Sequence, residues 1–293
     1  MAEQFSGDDV TIAWEDARAA NLAHWDDRVP IHTSGGYDLE AFRRDPEHIS
    51  QVVRTDLPVI ERFLPGGLAG LDVCHLQCHI GTDTLSLARK GARVVGVDFS
   101  APALEAAAGL AAELGLAAEW VCTDVLDARA AVSRRLGGDR SFDLVYTSIG
   151  TVWWLDDLNR WAAQIEALLR PGGHFFIRDG HPALYSLDER QQDLVTVYRY
   201  FANGAAQGWD VDGSYVGEGT LHNTRNYGYP HPLSEILQAL IAADLELVWI
   251  DEGRTLPWRF STYMVEREDG DFEFPADQRD SMPLTFTAVA RKR

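Results

Sequence analysis

Basic residues are scarce in this 293-residue chain: 26 Lys and Arg stand against 45 Asp and Glu, a formal charge of −19. Affinity for a nucleic-acid backbone comes from clustered Lys and Arg. The one basic run, Arg291-Lys292-Arg293, is too short to act as a binding arm. Nucleic acid is therefore not expected as a partner, and an anionic membrane surface is disfavoured on the same ground. Long hydrophobic runs are missing too, since no stretch reaches the roughly 18 apolar residues that span a bilayer. The opening residues, Met1-Ala-Glu-Gln-Phe-Ser-Gly-Asp-Asp9, hold neither a basic nor an apolar segment, so no signal peptide is expected. Cysteine is rare. Cys74, Cys78 and Cys122 are odd in number and lie in apolar, strand-like runs, the pattern of reduced, buried thiols in a cytoplasmic protein. Disorder is excluded by an ordinary 46% hydrophobic and 24% charged content. The length suits one large domain, or one domain with an elaborated cap.

What is present is an alternation. Short apolar runs at 71–76, 93–98, 119–124, 142–148 and 174–179 are separated by helical patterns at 82–90, 101–114, 128–136 and 155–169. Strands rich in Val, Ile and Phe that alternate with helices predict βαβ units, hence an α/β, doubly wound, parallel sheet with helices on both faces. Ser100 before Pro102 predicts a helix start, Gly91 after Lys90 a C-cap, and Pro171-Gly172-Gly173 a sharp helix stop. Over 182–230 the rhythm changes: aromatics interleave with polar residues, which predicts short antiparallel strands and loops. A helix at 233–243 and strands at 245–252 and 283–291 follow, while residues 1–70 read as helices and a loop ahead of the first strand.

The first strand-to-helix turn, His75-Leu-Gln-Cys-His-Ile-Gly81, lies where a doubly wound sheet binds a nucleotide-like ligand. Seventeen residues after Gly81, the second strand ends in Asp98, followed by Phe99; a carboxylate at that tip accepts hydrogen bonds from both hydroxyls of a ribose. The third strand ends in Asp124-Val125, an acid for an exocyclic amine and an apolar face for an adenine ring. Together these positions resemble class I S-adenosylmethionine-dependent methyltransferases, from about residue 71 to the C-terminus. Leu168-Leu-Arg-Pro-Gly-Gly-His-Phe-Phe-Ile177 resembles that family's helix, turn and fifth strand. His75-Leu-Gln-Cys-His-Ile-Gly81 and Trp154-Leu-Asp-Asp-Leu158 are similar to a bacterial small-molecule branch that writes the first motif as His-Leu-Gln-Cys-His-x-Gly. The departure from the wider superfamily is that His75 stands where an acid is usual, and Gln77 and His79 replace two of three glycines.

The resemblance implies a seven-stranded sheet with its last strand antiparallel, an antiparallel and loop cap at the carboxyl edge, and S-adenosyl-L-methionine as methyl donor. It implies a donor site built from His75, Gln77, Cys78, His79 and Gly81 in the turn, Asp98 and Phe99, Asp124 and Val125, and Ser148 after the fourth strand. Trp25 and Tyr37, with His32, resemble the cover that such enzymes fold over the donor; an ordinary amphipathic helix packed on the sheet is the plainer reading. The glycine loss separates ligands. A dinucleotide needs bare backbone for its pyrophosphate, and S-adenosylmethionine carries no phosphate.

Cys74, His75, Cys78 and His79 invite a metal reading, yet no second Cys/His pair exists, and in a strand Cys74, Leu76 and Cys78 face opposite to His75 and Gln77. No metal is expected. His181, after the fifth strand, is the candidate general base, an imidazole that titrates near neutral pH; its plainer reading is a loop histidine. One of Trp153 and Trp154 is expected to be core, and Trp153, Tyr185, His222 and Tyr229 are the candidate acceptor-binding residues. The absence of an Asn/Asp-Pro-Pro-aromatic sequence after the fourth strand again argues against a nucleic-acid substrate. The organisation predicted is a cover at 1–70, a donor-binding core at 71–181, a cap insertion at 182–230, and the rest of the core at 231–293 with a lid loop at 255–282. The expected function is methyl transfer to an oxygen or nitrogen of a small organic molecule, of the kind found in bacterial secondary metabolism, by a cytoplasmic monomer or homodimer. An NAD(P)-dependent oxidoreductase and a non-catalytic donor-binding module are the alternatives. The acidic run 266–273, in the expected lid, reads either as a solvated loop or as a bias toward neutral or cationic acceptors.

Overall fold

The computed structural model describes residues 6–293; the first five residues of the expected cover, and part of the stretch read for a leader, lie outside the described residues. The chain opens with β1 (Ser6–Val10), α1 (Trp14–Ser34), α2 (Leu39–Arg44) and α3 (Gln51–Phe63). It then enters the alternation: β2 (Asp72–Leu76), α4 (Thr82–Arg89), β3 (Arg93–Asp98), α5 (Ala101–Leu114), β4 (Ala118–Cys122), α6 (Ala128–Leu136), β5 (Phe142–Ser148), α7 (Leu158–Leu168) and β6 (Leu169–Gly180). Two short strands, β7 (Ala206–Asp210) and β8 (Arg225–Gly228), precede α8 (Leu233–Ala242) and β9 (Leu245–Gly253). A small hairpin, β10 (Val265–Glu266) and β11 (Phe272–Glu273), leads to the final strand β12 (Thr285–Lys292).

Seven strands form one sheet in the order β4-β3-β2-β5-β6-β12-β9. Its pairs are parallel from β4 to β6, and β12 runs antiparallel to both neighbours. The expected sheet, with its antiparallel last strand, is the one observed. Strand alternation sends Cys74, Leu76, Val95, Val97, Phe175 and Ile177 to a face packed by α6, α7 and α8. Val73, Val94, Leu144, Tyr146 and Phe176 go to the face packed by α3 and α4. Both faces are dry, so the central strands are near-continuous apolar runs. Capping follows the sequence at α5, where the Ser100 hydroxyl accepts from Ala103 N at 3.2 Å, and at Gly91, whose φ of 88° lies just past α4.

Three features differ from the sequence reading. β6 starts at Leu169, because the chain passes straight from α7 into pairing with Phe142 through Pro171-Gly172-Gly173. Gly173 packs so closely that a Cβ there would stand 2.8 Å from Phe142 O. Cys122 is exposed, not buried, because β4 is an edge strand. The chain start contributes a strand as well as helices: β1, β7 and β8 form a separate antiparallel sheet. No helix among the described residues is long and apolar enough to cross a membrane.

α1 buries a polar row beside the apolar Ala17, Val29 and Ile31. Asn21, His24, Arg28 and His32, one per turn, are all buried. Asn21 exchanges two hydrogen bonds with the Tyr227 backbone, at 2.9 and 2.8 Å. His24 Nδ1 lies 2.7 Å from Asn223 O, and Asp27 accepts from the backbone N–H groups of His222 and Asn223 at 2.5 and 2.6 Å. The helix thereby locks onto the β7–β8 segment and lies across the carboxyl edge of the main sheet. On the opposite face α3 is tied down by a buried ion pair, in which Arg178 Nε donates to Asp56 and Tyr146 Oη donates to the same carboxylate at 2.6 Å.

Candidate active site

Between β2 and α4 the backbone turns through left-handed conformations at alternate residues: Gln77 at φ 56°, His79 at φ 49° and Gly81 at φ 78°. At Gly81 only glycine fits, since a Cβ would meet Trp120 at 2.6 Å and Ala107 at 2.7 Å. A non-glycine residue in this region costs roughly 1 kcal/mol or more, so Gln77 and His79 must be held. Gln77 Nε2 donates to Thr151 O at 3.1 Å, His79 N donates to Asp98 Oδ2 at 2.8 Å, and His79 Nε2 lies 2.7 Å from His32 Nδ1. The turn keeps the path of a glycine-rich loop while carrying two side chains that such a loop lacks.

A cavity of about 590 Å³ runs along the carboxyl ends of β4, β3, β2 and β5, lined in turn by Asp124 and Val125, Asp98 and Phe99, the first turn, and Ser148 to Thr151. Asp98 is buried, and burial raises its carboxyl to about 6. Its Oδ1 accepts from Ser100 N at 2.9 Å and its Oδ2 from His79 N. Each oxygen keeps a further lone pair for a ligand hydroxyl. Asp124 accepts from Leu126 N at 2.9 Å and faces Arg18 of α1 at 3.4 Å. Burial lowers His75 and His79 to about 3, so both imidazoles are neutral.

The Gly150–Val152 turn is shaped by Asp179 at the end of β6, whose carboxylate accepts from the backbone N–H of Gly150, Thr151 and Val152 and from the Thr151 hydroxyl, all at 2.5–2.9 Å. Ser148 Oγ donates to Asp83 Oδ2 at 3.0 Å. Over this floor lie all three segments that exceed the alternating core. The chain start supplies Trp14, Trp25 and Tyr37; the 182–230 insertion supplies Tyr185, Tyr215 and Val216; and 255–282 supplies Pro257, Trp258 and Asp269. Trp25 packs edge-on against His79 at 5.2 Å and Trp154 at 5.5 Å, and the Tyr37 and Tyr215 hydroxyls meet at 2.7 Å. His32 extends from His79 to Ser214 Oγ at 2.9 Å, joining turn, α1 and insertion.

Of the residues singled out from sequence, His75, Gln77, Cys78, His79, Asp98, Phe99, Asp124, Val125, Ser148, Trp25, Tyr37, Trp153 and Tyr185 all line this cavity. Gly81 does not; it starts α4 behind the wall. His181 is not among the lining residues. It is buried between strand ends, where Nδ1 accepts from Ala183 N at 3.1 Å and Nε2 stands 3.0 Å from Glu252. His222 is exposed and held by its backbone on Asp27. Tyr229 borders a small neighbouring hollow and packs on Trp14 at 5.8 Å. Trp153 and Trp154 both line the cavity rather than one entering the core, because they sit on a 3₁₀ turn whose neighbours diverge by about 120°. Asp83, Tyr215 and Trp258 were not picked from sequence, nor was the supporting Asp179, whereas the Ser148–Thr151 turn was expected at the methionyl end of the donor. Asp83, two residues past Gly81, was the one within reach of the motif.

Residues 73–173, about a third of the chain, match the protein family described as Methyltransferase domain. No curated protein matches the chain. Among solved structures, an S-adenosylmethionine-dependent methyltransferase from Mesorhizobium loti is 21% identical with a TM-score of 0.53, covering 81% of this chain and 97% of its own. A Burkholderia thailandensis 1,6-didemethyltoxoflavin-N1-methyltransferase, solved with 1,6-didemethyltoxoflavin and S-adenosylhomocysteine, is 18% identical with a TM-score of 0.55 over 100% of this chain and 96% of that one. An S-adenosylmethionine-dependent methyltransferase from Clostridium acetobutylicum is 15% identical at a TM-score of 0.53, with 80% and 89% covered. At these identities the likeness is one of fold.

Proposed function

We propose that this chain is an S-adenosylmethionine-dependent methyltransferase that acts on an oxygen or nitrogen of a small organic molecule. The observation that carries the reading is the row of groups along one cavity: Asp124 and Val125 for an adenine, Asp98 for a ribose, and the first turn for an amino-acid tail. Two polar atoms at the tail end, His75 Nε2 and Gln77 Oε1, are buried without a partner. His75 Nδ1 lies 2.8 Å from Thr84 Oγ1; in the tautomer that donates Nδ1–H there, Nε2 is an acceptor that suits the donor's ammonium. Gln77 and His79 stand where a dinucleotide site needs glycines, so the turn lacks the bare backbone a pyrophosphate requires, which speaks against a dinucleotide.

Bound S-adenosylmethionine supplies a methyl group on a sulfonium, whose C–S bond breaks as the acceptor's O–C or N–C bond forms. The protein's part is positioning: Asp98 and the first turn hold one reactant, and Trp153, Tyr185, Tyr215 and Trp258 wall the space for the other. Holding the two at attack distance accounts for a large share of such a rate enhancement, and the aromatic cover keeps water out. We assign His181 no role in this reading, because it is not among the residues that line the cavity. The size and aromatic lining of the cavity fit a small organic acceptor. Titration calorimetry with S-adenosylmethionine and S-adenosylhomocysteine tests the reading; binding of neither, or of NAD in their place, would refute it.

A further inference from the structure

With His181 outside the cavity, the acceptor's proton needs another destination. We propose that Asp83 is the general base, a carboxylate that stands on the acceptor side of the methyl group and takes the proton of the attacking O–H or N–H. The inference rests on the methyltransferase reading above. The row along the sheet edge sets the direction: adenine and ribose groups lie at β4 and β3, so the reacting end points toward β2 and β5. Asp83, on the first turn of α4, lies there. It is half-buried and lines the cavity beside Ser148, at the end of β5, and Ser50, the N-cap of α3.

Its carboxylate accepts from Ser148 Oγ at 3.0 Å, with Ser50 beside it on the cavity wall, and among the described residues it forms no ion pair. Arg178, which acts on it from a distance, is bound to Asp56, itself a second acid acting on Asp83. Tyr37 and Tyr215 line the same cavity, and both feel the Asp83 charge. One hydroxyl donor leaves lone pairs free on this carboxylate. Burial raises its proton affinity above that of an ordinary carboxyl, the direction a base near neutral pH requires. As the new bond forms, the sulfonium leaves as a neutral thioether, and the acceptor's proton moves to Asp83 and then to water.

The proposal can be tested without the acceptor, using sinefungin, a donor analogue in which a carbon bearing a protonated amine replaces the sulfur bearing the methyl group. A carboxylate waiting beside the methyl position pairs with that amine. Calorimetry on the full chain at pH 7.5 should show sinefungin binding at least about tenfold tighter than S-adenosylhomocysteine, the scale of one charge-assisted hydrogen bond. Asp83→Asn should abolish the preference while S-adenosylhomocysteine affinity stays within about threefold. Equal affinity for the two ligands in the unaltered protein overturns the proposal, and this arm stands even if the variant fails to fold. A preference that survives in Asp83→Asn overturns it as well. Failure of both ligands to bind the unaltered protein overturns the donor reading together with the proposal.

Discussion

Replacing Asp98 by Asn removes one of two acceptor oxygens and the charge on both. In the folded protein those oxygens already take the N–H groups of His79 and Ser100 at 2.8 and 2.9 Å, so a bound ribose must use the remaining lone pairs. The amide keeps one acceptor for two backbone donors and offers a donor where hydroxyl protons arrive. Losing one or two hydrogen bonds to a charged group, each about 1.5–3 kcal/mol, weakens S-adenosylhomocysteine by roughly 100-fold, or ~3 kcal/mol. The wild-type carboxyl adds a pH signature, because burial moves it from 3.8 to about 6. Ribose binding by this group requires the ionised form. At pH 5 only about a tenth of the empty protein is ionised there, which predicts an affinity about tenfold lower than at pH 7.5, or ~1.4 kcal/mol. Stability runs the other way. The folded value is raised, so between about 4 and 6 the folded protein holds a proton that the unfolded chain has released, and this group's contribution to stability falls as pH rises through that window. His75 and His79, lowered to about 3, titrate below it. Calorimetric titrations at pH 5.0, 6.0 and 7.5 on wild type and Asp98→Asn decide the matter. A flat wild-type profile, or a variant that retains the slope, refutes the ribose assignment.

Three further outcomes are expected. Asp56→Ala leaves Arg178 buried without its partner and should cost about 3–5 kcal/mol in urea denaturation; a loss below ~1 kcal/mol would show that α3 is held by its apolar face alone. Gly228→Ala places a Cβ 1.9 Å from Trp153, so the indole must shift. Overpacking of about 1–3 kcal/mol should appear with a changed tryptophan emission spectrum, and an unchanged melting temperature would contradict it. His79→Gly relieves a left-handed residue but deletes the bond to His32, so stability should change by no more than about 1 kcal/mol, while S-adenosylhomocysteine binds more weakly by isothermal titration.

The core elements were legible because their burial is apolar and periodic. The expected helix 101–114 and strand 142–148 coincide with α5 and β5, and the acids at strand ends follow from those boundaries. What escaped was how the cover expected at 1–70 is anchored, because polar groups hold it. α1 buries Asn21, His24, Arg28 and His32, a stripe without a hydrophobic signature, and β1, Ser-Gly-Asp-Asp-Val, has none either. His181 looked catalytic because it follows a strand at the carboxyl edge, but chain position does not say which way an imidazole faces. Asp83 carries no signal of its own in the sequence, and its significance comes from Ser148, 65 residues away. The acidic run 266–273 divides likewise: Glu273 is neutralised by Arg267 and Arg279, and of that run only Asp269 reaches the cavity wall.

Val10 pairs with Ala206, and α1 is fixed to residues 222–227, so the cover over the cavity closes only when the chain start finds a segment nearly 200 positions later. Pairings of that separation are entropically slow, whereas the βαβ core can assemble from neighbours. Folding should therefore pass through a formed sheet with an open edge, and the cavity is completed last. A ligand that fills it stabilises by mass action only chains in which that closure has occurred. A ligand of the cavity therefore shifts the balance between covered and uncovered chains, and its effect on stability reports whether that closure has formed.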